Sequence, residues 1–237
     1  TSQGDLYGWH RQFDGNYFLG LFVENGRIKD AGNYRLKTGL RSVAEQFKPD
    51  LRLTPSQNIL LVNIKPEDRD GITQTLAAHG VPVENQASVI RRASIACPAL
   101  PTCGLALAES ERVMPDVLTR LEQLLAEVGL EGEEIIIRMT GCPNGCARPF
   151  TAELALVGKA PGKYQLYLGG NQPGTQLGAL YKESVKSDDL VNELRPLFTR
   201  FARERAGAER FGDFSRRVLL PEKLASTPSL QAVAGSA

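Results

Sequence analysis

Residues 134–149 read "EIIIRMTGCPNGCARP", an apolar β-branched run that delivers two cysteines, Cys142 and Cys146, around a Pro-Asn-Gly turn. The run "EIIIRM" has the length and composition of a buried strand. Pro143 sets one backbone angle, and Asn144-Gly145 supplies a turn that tolerates positive φ. Such a turn aims two thiolates the same way and leaves backbone N–H groups free to donate to sulfur. The other two cysteines lie upstream in "ACPALPTCG", at Cys97 and Cys103, so all four fall into two tight pairs.

The spacing is C-x5-C, a gap of 38 residues, then C-x3-C. Four thiolates suit zinc or an iron–sulfur cluster. Structural zinc is usually held by knuckles of roughly two to four residues between cysteines. A spacer holding Pro98 and Pro101 makes a poor knuckle and reaches further, as if around a wider group. The spacing therefore favours a cluster over zinc, with unligated buried cysteines as the third reading.

The surroundings fit that chemistry. The chain has 237 residues, 42% apolar and 23% charged, enough for a real core in one or two domains. With 28 Lys and Arg against 27 Asp and Glu there is no basic excess for nucleic acid. No stretch approaches the ~20 apolar residues of a membrane span. The start, "TSQGDLYGWH", shows no signal-peptide pattern and no initiator Met, which suggests processing or a longer parent chain. Cysteines without an export signal read as ligands or thiols in a reducing compartment, cytoplasmic or, in a eukaryote, the plastid stroma.

Working outward, "LYGWHRQF" and "YFLGLFVE" flank Asp14-Gly15-Asn16 as a hairpin, with a second turn signal at Asn25-Gly26. Leu40, Val43, Ala44 and Phe47 mark a short amphipathic helix over 38–47. "LRLT" and "NILLVNI" read as strands about Pro55-Ser56-Gln57, and Pro66 opens a helix that Gly80 closes. Further on, Val117, Leu118, Leu121, Leu124, Leu125 and Val128 trace a helix. "AELALVG" and "YQLYLGG" form a hairpin, and residues 189–206 a helix in which Pro196 predicts a kink or a late start. His10 and His79 read as packing or capping residues, and Trp9 as core. The expected fold is α+β: a compact unit over 1–86, a second over 87–220, and a loose tail over 221–237.

"ACPALPTCGLALAESER" followed by "RMTGCPNGCARPFTAELALVGKAPGKYQLYLGG" closely resembles the cluster motifs of assimilatory sulfite reductases, within the nitrite/sulfite reductase family. "LFVENGRI", "RLKTGLRSVAEQF", "LRLTPSQNILL" and "ERFGDFSRRV" resemble the same family, so the likeness covers roughly residues 4–220. It implies a ferredoxin-like half-domain followed by a mixed-sheet domain that binds sirohaem and a 4Fe-4S cluster. On this resemblance Cys97, Cys103, Cys142 and Cys146 are the cluster ligands. Cys146 is also the bridge to the sirohaem iron, where the six-electron reduction of sulfite to sulfide takes place.

Because sirohaem bears many carboxylates, its pocket calls for Arg, Lys and amide donors. The candidates are Asn144 and Arg148 beside the bridging cysteine, and Arg52, Gln57 and Asn58 in "RLTPSQN". Lys159 and Lys163 are weaker candidates, since hairpin lysines are usually just solvated. The family is normally about twice this length, and the resemblance covers only its C-terminal half. The implied partners are the N-terminal half, from the same precursor or a separate subunit, and an electron donor, ferredoxin or an NADPH-fed flavoprotein. "CARPF" leans toward ferredoxin. No nucleic acid or membrane partner is expected. The alternatives are a nitrite reductase of the same family and an electron-transfer module without sirohaem.

Overall fold

In the computed structural model, which describes residues 4–221, the chain divides between Ser88 and Val89 into two compact units. The tail expected over 221–237 lies, apart from Pro221, outside the described residues.

The first unit is an antiparallel sheet covered by two helices. Strands β1 (Gly8–Arg11) and β2 (Tyr17–Leu21) pair from Gly8↔Gly20 to Arg11↔Tyr17. Asp14 shapes the turn between them by accepting the Asn16 N–H at 3.0 Å. A short ribbon of β3 (Asp30–Ala31) and β4 (Tyr34–Arg35) leads into α1 (Leu36–Phe47). Then come β5 (Asp50–Leu53), β6 (Ile59–Ile64) and α2 (Arg69–Ala78), giving the sheet order β1-β2-β6-β5. Leu36, Leu40 and Val43 of α1 and Ile72 and Leu76 of α2 fall at helical spacing. They bury against Leu19, Leu21, Ile59 and Leu61 of the sheet. Pro66 opens a single 3-10 turn, Pro66–Asp68, ahead of α2 rather than α2 itself. Trp9 is only half-buried, with its indole N–H donating to Thr73 Oγ1 at 3.2 Å. His10 stacks on Phe18, and His79 caps α2 through the Thr75 carbonyl at 2.8 Å.

The second unit is a mixed sheet. It opens with α3 (Val89–Arg92), β7 (Ile95–Ala96), α4 (Met114–Glu127) and β8 (Ile137–Thr140). It continues with β9 (Leu154–Ala160), β10 (Lys163–Leu168), β11 (Ala179–Lys186), α5 (Leu190–Glu204) and α6 (Phe211–Phe214), which runs on into a π-helical turn. The order is β11-β10-β9-β8-β7, with β7, β8 and β9 parallel and β9, β10 and β11 antiparallel. Leu118, Leu121 and Leu125 of α4 and Leu194, Phe198 and Phe201 of α5 pack on Ile137, Met139, Leu154, Leu156 and Leu166.

Two expectations need correcting. The helix around Pro196 starts at Leu190 and runs unbroken past the proline, so there is no late start. Its buried face of Leu190, Leu194, Leu197, Phe198 and Phe201 outweighs one missing N–H donor. The strand expected from Glu134 begins only at Ile137. Upstream, the Ile136 N–H donates to the buried carboxylate of Glu153 at 2.9 Å instead of to a strand partner. Glu153 also accepts from the Gly212 N–H at 3.1 Å and from Arg210 at 2.9 and 3.2 Å. One buried anion thus ties the entry to β8 to the start of α6.

Candidate cofactor site

Strand β8 sets the site. Ile137 and Met139 face the core, which puts Arg138 and Thr140 on the opposite face. Past Thr140 the chain passes through Gly141 into the Cys142–Cys146 turn, while β7 continues alongside into Cys97.

Backbone hydrogen bonds join the two cysteine segments. The Cys97 N–H donates to the Met139 carbonyl at 3.2 Å, extending the β7–β8 ladder by one residue. The Cys97 carbonyl accepts from Glu111 N at 3.1 Å, and the Gly141 carbonyl accepts from Leu107 and Ala108 at 2.8 and 3.1 Å. The Cys103 N–H closes a turn onto the Ala99 carbonyl at 2.7 Å. Ser110 Oγ donates to the Met139 carbonyl and Tyr164 Oη to the Glu109 carbonyl, both at 2.7 Å, fastening the far end of the first loop. Burial pushes the Tyr164 phenol up to about 12, so it remains a donor.

Gly141 sits where the layers meet. A Cβ there would lie 2.6 Å from Ala99 Cβ, 2.7 Å from the Ala108 carbonyl oxygen and 3.1 Å from Ala106 Cβ. On the neighbouring strand, a Cβ on Gly158 would come within 2.3 Å of the Gly141 carbonyl oxygen. Only glycines, lined by alanines, let the two cysteine segments approach this closely.

The four thiols are free and graded in exposure: Cys97 and Cys142 buried, Cys103 half-buried, Cys146 exposed. Cys97 Sγ accepts the Gly141 N–H at 3.3 Å and lies 3.5 Å from Thr140 Oγ1. Donors of this kind tune a bound centre. The second turn uses Gly145 at φ 69° and Arg148 at φ 55°, with the Arg148 N–H donating to the Gly145 carbonyl at 2.8 Å.

Among the described residues, no three His, Cys, Asp or Glu side chains converge closely enough to hold a single metal ion. Tetrahedral zinc, at about 2.3 Å from each sulfur, needs that convergence. A cluster is wider than one ion and is held by thiolates set further apart. The donor set of four thiols on two tied loops, with an N–H aimed at one sulfur, fits a cluster.

Asn144 and Arg148 are exposed on the same turn as Cys146. Arg138, missed in the sequence reading, lies just behind them. Its Nη1 donates to the Arg148 carbonyl at 3.1 Å and to Thr151 Oγ1 at 2.8 Å. Burial, reinforced by the charge of Arg148, draws its guanidinium down to about 10, so it stays cationic at neutral pH. The signal was present in the sequence as one charge inside an apolar strand run.

The remaining candidates are divided between the two units. Arg52, Gln57 and Asn58 belong to the first unit, the cysteines to the second. Arg52 is exposed on β5, and Gln57 occupies a left-handed turn position at φ 68°. The amide of Asn58 is engaged inside the unit. Its Oδ1 accepts from Val23 N, and its Nδ2 donates to Asp5 Oδ2 and Tyr7 Oη. Lys159 is held by Glu183 at 3.1 Å, and Lys163 is exposed at the start of β10. Among the described residues, no helix is long and apolar enough to cross a membrane.

This fold and site define a class. Residues 10–79 match the nitrite/sulfite reductase ferredoxin-like half domain, and the chain belongs to the nitrite/sulfite reductase family. Its curated relatives include the sulfite reductase (NADPH) hemoprotein beta-components of Staphylococcus saprophyticus and Geobacillus kaustophilus. The first is 47% identical over 93% of this chain and 39% of its own length, the second 49% identical over 89% and 37%. The chain therefore spans about two fifths of the length of these relatives. Among solved structures, the NirA protein of Mycobacterium tuberculosis superposes with a TM-score of 0.72 at 25% identity, over 90% of this chain and 40% of that one. Dissimilatory sulfite reductase I shares the fold, with a TM-score of 0.57 at 12% identity.

Proposed function

We propose that these residues form the cofactor-bearing portion of an assimilatory sulfite reductase, with Cys97, Cys103, Cys142 and Cys146 holding a 4Fe-4S cluster beside a sirohaem. The carrying observation is the junction at Gly141, which brings two thiol-bearing loops together with no disulfide and a donor on the Cys97 sulfur. The cofactors, when bound, supply the electrons and the iron at which sulfite is reduced to sulfide.

The chain's own contribution is to hold and orient. Buried Cys97 and Cys142 would hold the cluster away from water. Exposed Cys146 would be the thiolate available to a second iron. Asn144 and Arg148 would flank it as donors toward the macrocycle. The relatives are named as NADPH-dependent beta-components, which favours a flavoprotein donor over ferredoxin. The rest of the sirohaem cavity and the cations that grip sulfite would come from sequence beyond this stretch, since the relatives are much longer.

Metal and sulfide analysis of anaerobically purified protein, with an absorption spectrum, tests the proposal. Iron and acid-labile sulfide in equal amounts, with Soret and visible bands, are expected. Zinc without sulfide would overturn it.

A further inference from the structure

One hydroxyl stands between the two cysteine loops. Thr140, the last residue of β8, is fully buried. Its Oγ1 lies 3.5 Å from Cys97 Sγ and donates to the Cys142 carbonyl at 3.3 Å. A single side chain thus touches one cysteine of each pair. Cys97 Sγ also accepts the Gly141 N–H at 3.3 Å. Among the described residues, Cys97 is the cysteine whose sulfur is met by hydrogen-bonding groups.

What the hydroxyl does depends on the state of that sulfur. As a thiol, Cys97 can give its proton to Thr140 Oγ1 while the hydroxyl proton goes to the Cys142 carbonyl. As a metal-bound thiolate it has no proton and only accepts, so the hydroxyl turns to the sulfur. The Cys142 carbonyl is not orphaned by that turn, because it also accepts the Gly145 N–H at 3.4 Å. Cys97 packs among Ile95, Ala99 and Ala147, with Ala106 beside them. A hydrogen bond in such apolar surroundings is stronger than one at the surface. The β-branched side chain of Thr140 has little χ1 freedom, which keeps the hydroxyl beside both partners.

We propose that Thr140 is a positioning residue for the cluster, its hydroxyl orienting Cys97 and becoming the second donor to that sulfur once it is a ligand. This rests on the cofactor reading above. Negative charge on the ligand sulfurs grows when the bound centre gains an electron, so a donor there favours the reduced form and raises the potential. Of the two donors to Cys97, the Gly141 N–H is backbone, and the Thr140 hydroxyl is the one a substitution can remove.

The test uses the full-length protein after anaerobic reconstitution. It reads iron and sulfide content, and the midpoint potential of the cluster by electron paramagnetic resonance in a mediated dithionite titration. Thr140→Val keeps the shape and the branching and removes the hydroxyl. It should load fully, with a potential lower by about 59 mV, a tenfold change in a one-electron equilibrium, as for one hydrogen bond to a charged group. Thr140→Ser should restore most of the wild-type potential. Full loading of Thr140→Val with an unchanged potential would overturn the proposal. So would equal shifts in the Val and Ser variants, since shape and not the hydroxyl would then be the cause. If Thr140→Val takes up no cluster, loading decides: a Thr140→Ser protein that loads places the requirement on the hydroxyl, and one that also fails refutes it. A wild-type protein that holds zinc without sulfide would remove the cofactor reading and this inference together.

Discussion

Adding one methyl group at Gly141 should damage both stability and cofactor loading. The new Cβ would stand 2.6 Å from Ala99 Cβ and 2.7 Å from the Ala108 carbonyl oxygen. Comfortable carbon contacts lie at about 3.5–4.0 Å, so one loop must retreat by about 1 Å. No side chain can swing aside, because the obstacles are a backbone oxygen and the Cβ atoms of alanines. Overpacking of this kind costs about 1–3 kcal/mol. The bonds from Leu107 and Ala108 to the Gly141 carbonyl add about 1 kcal/mol each if they break. For a unit of this size, 1–3 kcal/mol lowers Tm by about 2–12 °C. The retreating loop carries Cys97 and Cys103, so iron bound per chain should fall as well. The assay is thermal unfolding by circular dichroism, followed by iron content after anaerobic reconstitution. Gly104→Ala is the control: it lies in the same loop, and nothing stands within 4 Å of its Cβ position. If Gly141→Ala matched that control in both Tm and iron, the account of how the loops are joined would be wrong.

Two other predictions follow from the site and the surface. Cys97→Ser and Cys146→Ser should differ: the first should lose iron and sulfide, while the second should also disturb the spin-state spectrum of the haem; indistinguishable variants would move the bridging role to another residue. A hydrogen bond from Arg217 holds the half-buried carboxyl of Glu209 at about 2, below the usual 4.5, with help from the Ala206 N–H. Its stabilisation is present above pH 4.5 and lost as pH falls toward 2, so urea midpoints of Glu209→Gln should converge on wild type in acid, with a small gap at neutral pH because water screens the pair.

Much of the fold was legible where sequence pattern and burial agree. The helix over Leu36–Phe47, the strands at 59–64, 154–160 and 163–168, and the α4 face all showed the periodicity of the side they bury. The misses have physical causes. Strand β11 mixes Lys182, Glu183 and Lys186 into an exposed sheet edge, so it has no apolar alternation to read. The two residues of β7 are too few for a pattern, and their parallel pairing depends on distant contacts. Ile135 and Ile136 look like strand, but the partner that claims Ile136 is a carboxylate from β9's approach. At the site, the cysteine pairs were visible as spacing. Gly141 was not, because a glycine needed for a close approach resembles any other in a sequence. Asn58 stood in a promising turn, and only its three partners reveal it as a fastener.

The Glu153 clamp bears on the timing of synthesis. Cys142 and Cys146 leave the ribosome well before Arg210 and Gly212, which supply donors to that carboxylate. Until they emerge, the buried carboxylate of Glu153 would have the Ile136 N–H but no cation to offset its charge, which weakens the closing of the approach to β8. The approach to the strand that delivers the cysteine turn is therefore fully fastened only when the start of α6 has been made. A nascent chain with all its thiols already translated still lacks a finished seat for metal. If these cysteines hold a cluster, its seat would be complete only once the chain up to Gly212 has been made.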